Sequence, residues 1–157
     1  MASLVSLQKS IHAWAVDKEW RGPRAETQRT TGDDMALIIS EAVEALEAFR
    51  FAGYPTSYWE TYTVEVSGIK FKDMQKAQLA VLWDIDLQEI GWEDEVDSMI
   101  AELNLAAKPE GVGPELADTI IRILDYSENH GLDMDFEVER KMAHNQQRPI
   151  RHGGSHL

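Results

Sequence analysis

No cysteine occurs anywhere in the chain's 157 residues, so disulfides, thiolate metal sites and a nucleophilic thiol are all excluded. That composition suits a reducing compartment. Nor is there a run of about 18 apolar residues of the kind that spans a bilayer. The stretch from Met1 to Trp20 carries Lys9, Asp17, Lys18 and Glu19, unlike a secretory leader. A cytoplasmic protein with no membrane partner is therefore expected. Basic residues are scarce as well: 15 Lys and Arg stand against 28 Asp and Glu, a formal net charge of −13. This excess repels a phosphate backbone at long range, and no basic stripe long enough to track a duplex occurs, so a nucleic-acid polymer is a poor ligand. A small polyanion is still admissible if divalent cations stand between the two sets of negative charge. Otherwise the acids only keep the surface solvated.

What is present is enough apolar material, 43% of residues, for the core of one domain. Leu4, Leu7, Ile11 and Trp14 recur at helical spacing, predicting a helix over Ser3 to Lys18 that Arg21-Gly22-Pro23 ends. A second helix starts near Thr31 or Asp33 and carries Met35 to Arg50, with Gly53-Tyr54-Pro55 as its stop. Between Thr56 and Lys72 the β-formers Tyr58, Trp59, Tyr62, Val64 and Val66 precede a Ser67-Gly68 turn, which reads as a short hairpin. Helices are predicted over Asp73 to Glu89 and Glu93 to Leu105, then a loop from Lys108 to Pro114. Pro114 suits a helix start, and that helix reaches Asn129. Asp133 or Asp135 caps a last helix ending near Gln147, and the tail 149–157 is too glycine-rich to pack. The fold class expected is all-α, a helical bundle whose β content is confined to that hairpin.

Glu41 and Glu44 lie three residues apart and hence on one helix face, and Glu115 and Asp118 repeat the spacing later. Arg122 and Asp125 continue the second pair as a polar seam between apolar residues Leu116, Ile120, Ile123 and Leu124. Like charges so placed destabilise a helix by a few tenths of a kcal/mol, roughly, and desolvating them costs much more unless a cation neutralises them. Four acids gathered in a bundle are matched by one or two Mg²⁺, which take carboxylate oxygens. Each pair alone is equally the solvated edge of an acidic helix. On the last helix Lys141, Asn145 and Arg148 share a face, offering two cations and an amide to a phosphate chain or a base edge, or simply cations favouring the helix C-terminus.

Taken in order, Glu41-x-x-Glu44, Glu115-Leu-Ala-Asp118 and Lys141-Met-Ala-His-Asn145-Gln-Gln-Arg148-Pro149 resemble the MazG-like nucleoside triphosphate pyrophosphohydrolases. The resemblance covers the second helix and everything after Pro109. It implies a MazG-type helical bundle over about 1–53 and 109–148, with 54–108 as an insertion. It also implies Mg²⁺, with Mn²⁺ as a substitute, held by Glu41, Glu44, Glu115 and Asp118. Glu41 or Glu44 then accepts the proton of the attacking water, Lys141 and Arg148 contact phosphates, and Asn145 contacts base or sugar. The implied substrate is a nucleoside triphosphate (NTP or dNTP) split to monophosphate and pyrophosphate, and the implied assembly is a homodimer or dimer of dimers. Where family members often carry a further Glu before the first pair, this chain has Ser40, so no role transfers there. The aromatic residues of the insertion, Tyr54, Tyr58, Trp59, Tyr62, Trp83 and Trp92, serve as core, interface or lid. Phosphoribosyl-ATP or dUTP hydrolysis and a non-enzymatic acidic scaffold are the alternative readings.

Overall fold

The computed structural model describes residues 3–22, 28–53 and 58–148. Tyr54 and the tail 149–157 lie outside the described residues. In chain order the elements are α1 (Leu4–Asp17), α2 (Thr31–Ala52), β1 (Trp59–Val66), β2 (Ile69–Met74), α3 (Lys76–Leu82), α4 (Trp92–Glu102), β3 (Lys108–Glu110), α5 (Val112–Asn129) and α6 (Met134–Gln146). They form two compact units, one of residues 1–40 with 118–157 and the other of residues 41–117. The division passes through α2 and α5.

The first unit is helical, and its ends are set by local hydrogen bonds. Ser3 caps α1, its hydroxyl accepting from the Ser6 N–H. The first free N–H groups of α1, those of Leu4 and Val5, donate to the Asp135 carboxylate of α6 at 2.9 and 3.4 Å. Asp133, the other candidate cap, receives the Phe136 N–H and starts α6. Thr30 and Asp33 exchange backbone and side-chain hydrogen bonds across the start of α2, the reciprocal pattern of a capping box. Those bonds from Thr30 hold the Asp33 carboxyl below the usual carboxylate range.

The second unit corrects the all-α expectation. The hairpin is present as β1 and β2, turning through Ser67 and Gly68, both at positive φ. A third strand, β3, pairs antiparallel with the other edge of β1, giving the order β2-β1-β3, where the sequence predicted loop. The chain is therefore mixed α/β, with a three-stranded sheet that has its own core. The physical reason is that β1 in a lone hairpin leaves a row of unpaired N–H and C=O groups, which β3 takes up. Pro109 is tolerated because β3 is an edge strand. Tyr62 and Val64 point from one face of β1 onto Leu79 and Ala80 of α3 and Val96 of α4, forming the buried cluster. Trp83 and Trp92 pack against it, so these two and Tyr62 serve packing rather than a lid. The helix predicted over Asp73 to Glu89 contracts to α3 because Asp73 and Met74 belong to β2.

Candidate metal centre

Gly111, at φ 123°, turns the chain from β3 into α5, and its carbonyl accepts the Glu115 N–H at 3.1 Å. Glu115 thus sits in the first turn of α5, where the helix dipole favours an acid. Asp118 follows one turn later on the same helix. One carboxylate oxygen from each of Glu41, Glu115 and Asp118 lies within 4.8 Å of the others. Glu41 and Glu115 are only 8% and 6% exposed, whereas Asp118 is exposed. Three of the four acids singled out from the sequence come together in this way. The fourth, Glu44, is exposed one turn further along α2 and is not one of the clustered three.

The donor chemistry fits a hard divalent cation. Oxygens about 2.1 Å from an octahedral Mg²⁺ are about 3 to 4.2 Å from one another, so the triad needs only a small inward adjustment to hold one. Glu41, Glu115 and Asp118 would hold such an ion, and Mg²⁺ bound this way usually keeps water among its ligands. Softer metals would call for thiolate or imidazole ligands, which the triad lacks.

Two features border these acids in their own units. Asp118 also lines a cavity of about 120 Å³ whose walls include Ile11, Trp14, Trp20, Ile121 and Arg122. The rings of Trp14 and Trp20 meet edge to face, with centroids 4.7 Å apart and an interplanar angle of 77°. In the other unit, Lys108 on β3 makes a 2.5 Å ion pair with Glu110, whose carboxylate also accepts from the buried Thr61 hydroxyl at 3.4 Å. The bond to Glu110 raises the Lys108 pKa, and the fields of Glu110, Asp73 and Glu115 reinforce it.

The residues expected to meet substrate on α6 are all exposed: Lys141, Asn145 and Arg148. Lys141 and Asn145 share one face of α6, whereas Arg148 lies beyond the helix end and donates a long 3.5 Å hydrogen bond to the Asn145 side-chain oxygen. A buried network that the sequence did not announce lies in the same unit. The Arg21 guanidinium pairs with Asp34 through both terminal nitrogens, at 2.9 and 2.7 Å, and with Asp125 through Nε at 2.8 Å. His12 Nδ1 meets the second Asp125 oxygen at 2.8 Å. In the sequence Arg21 reads only as part of a helix stop, and nothing local marks its partners.

Comparison with known proteins finds no matching family model, no similar curated protein and no similar solved structure. The resemblance to MazG-like enzymes therefore stands on the motif residues alone.

Proposed function

We propose that the chain is a Mg²⁺-dependent nucleoside triphosphate pyrophosphohydrolase of the cytoplasm, releasing nucleoside monophosphate and pyrophosphate, with Mn²⁺ able to substitute. The reading is carried by one observation: Glu41 and Glu115, 74 residues apart in sequence and both buried, meet Asp118 within 4.8 Å. Three carboxylates so close together offer the hard oxygen ligands that Mg²⁺ and Mn²⁺ take, and a divalent cation held there would bind phosphate oxygens and lower the pKa of a bound water.

The chain's own residues divide the remaining work. Glu41, Glu115 and Asp118 hold the site. Glu44, one turn from Glu41 and exposed, or Glu41 itself, accepts the proton as water oxygen bonds to the α-phosphorus and the α–β anhydride breaks toward pyrophosphate. Lys141 and Arg148 supply exposed charge for phosphate oxygens, and Asn145 a donor and acceptor for base or sugar. The cavity shared by Asp118, Trp14 and Trp20 offers flat aromatic walls to a nucleobase.

A homodimer is part of this proposal. Met35, Ile39, Val43, Leu46 and Phe49 form one exposed apolar stripe along α2, and Leu116 and Ile120 another along α5. Apolar surface of this extent on helices that bear the metal-site acids is the kind a second copy covers.

The test is pyrophosphate release from a panel of NTPs and dNTPs with and without Mg²⁺, including dUTP and phosphoribosyl-ATP. Glu41→Gln, Glu115→Gln and Asp118→Asn are each expected to lose at least about a hundredfold in rate with unchanged circular dichroism. Wild-type turnover in all three refutes the assignment, and absence of Mn²⁺ binding by the wild type favours an acidic scaffold instead.

A further inference from the structure

The sheet in the second unit has two unlike faces. Tyr62 and Val64 occupy the face that packs on α3 and α4. Side chains alternate along a strand, so Thr61 belongs to the opposite face, and its pairing with Lys108 across the β1–β3 ladder puts Lys108 there too. Glu110 is two residues on from Lys108 and therefore on that face as well, which the Thr61 hydroxyl bond to Glu110 bears out. Immediately after Glu110, Gly111 feeds α5, whose first turn carries Glu115. The ladder thus fixes Lys108 at the entrance to the helix that supplies the buried acid. The ammonium is anchored on Glu110 while its side chain remains 60% exposed, so it is able to exchange that carboxylate for another anion. The charge of Glu115 is the smallest of those that raise its pKa, after the bond to Glu110 and the fields of Glu110 and Asp73.

We propose that Lys108 is a substrate-contact residue, a cation that the inserted sheet delivers beside the acid triad to bind a non-bridging oxygen of the triphosphate. This inference rests on the reading of the triad as a metal-dependent nucleotide site. It gives the segment 54–108 a role in that site: β1 holds β3 in place, and β3 presents the lysine. Three carboxylates and one divalent ion leave a net negative charge facing a triphosphate, so an added ammonium is favourable for binding it. In the absence of substrate, Glu110 keeps the lysine ordered and charged.

The experiment uses the full-length chain and its variants Lys108→Met, Lys108→Arg and Glu110→Gln. Calorimetry measures Mn²⁺ alone and then pyrophosphate in the presence of Mg²⁺, and steady-state kinetics are taken on the best NTP. Lys108→Met is expected to keep Mn²⁺ affinity within about twofold of wild type while pyrophosphate affinity and kcat/KM fall by about tenfold to a hundredfold, the usual weight of one charge-assisted hydrogen bond. Lys108→Arg recovers most of that loss. Glu110→Gln, which releases the lysine from its resting partner, keeps or improves pyrophosphate affinity. Wild-type pyrophosphate binding by Lys108→Met overturns the proposal while leaving the metal site standing. Equal losses in Lys108→Met and Glu110→Gln also overturn it, because the pair would then serve only to hold the strand. Failure of the wild type to bind Mn²⁺ overturns the metal-site reading, and the role of Lys108 with it.

Discussion

Metal-linked stability offers a test of the triad that needs no knowledge of the substrate. A ligand that binds only the folded chain stabilises it by about 2.7 kcal/mol when present at about a hundred times its dissociation constant. For a domain of 157 residues, 1 kcal/mol moves Tm by about 2–4 °C. Saturating Mn²⁺ should therefore raise the wild-type Tm by about 5–11 °C. Glu41→Gln removes one of three ligands and one negative charge. Loss of even a supporting residue commonly weakens a metal site by about 10–100-fold. At about a hundredfold weaker affinity, the same Mn²⁺ concentration only equals the dissociation constant, and the stabilisation drops to about 0.4 kcal/mol, or under about 2 °C.

The assay is differential scanning calorimetry in Mn²⁺ and in EDTA, at constant ionic strength so that screening of the −13 charge is held fixed. Glu139→Gln, at an exposed position on α6, removes the same charge from a helix that supplies no acid of the triad and should shift like wild type. Equal Mn²⁺ shifts in wild type and Glu41→Gln refute the reasoning, because the ion would then be binding the acidic surface diffusely.

Two further outcomes follow from charges elsewhere. Arg21→Met leaves Asp34 and Asp125 buried without their main counter-charge and is expected to destabilise by about 3–5 kcal/mol, read from the urea midpoint; a loss under about 1 kcal/mol would put these bridges in the class of surface pairs. Burial, and then the hydrogen bond it donates to Glu60, push the Tyr62 phenol from its ordinary 10 up to about 12. A raised folded pKa favours the protonated form in the native state, so this contribution is complete below about pH 10 and is lost as pH rises through about 12. Stability measured across that window should fall less steeply in Tyr62→Phe than in wild type, and identical slopes would remove Tyr62 from the account.

The parts of the fold legible in the sequence are those whose determinants are local. Ser3, Asp133 and the Thr30–Asp33 pair start their helices by bonds spanning three residues, and Ser67-Gly68 closes a hairpin through its own dihedrals. The parts not legible depend on partners far along the chain. β3 is a three-residue strand containing Pro109, and only its ladder with Trp59, Glu60 and Thr61 makes it a strand at all. Arg21 and Asp125 are separated by 104 residues, so nothing around either predicts the bridge. Of the candidate site, the i, i+3 spacing singles out Glu41, Glu44, Glu115 and Asp118, because residues at that period share a helix face. It could not separate Glu44 from Glu41, since both satisfy the spacing and burial alone tells them apart. Lys108 carried no signal, because its position is set by the sheet.

Helix α5 shows why patterning by itself misplaces exposure. Its acids Glu115 and Asp125 are 6% and 5% exposed, while Leu116 and Ile120 are 49% and 52% exposed, the reverse of what an amphipathic surface helix requires. A buried carboxylate is costly unless hydrogen bonds or opposite charge meet it. Arg21 meets Asp125, and Glu115 clusters with Glu41 and Asp118, the three acids proposed as metal ligands. The exposed Leu116 and Ile120 in turn make sense on a helix whose outer side is covered by another subunit. The proposed cation and the proposed second copy would thus both engage α5. Dimerisation and metal binding are accordingly expected to be coupled. Replacing Ile120 with a charged residue should lower the oligomeric state in sedimentation and weaken Mn²⁺ binding together, and a loss of one without the other would separate the two causes.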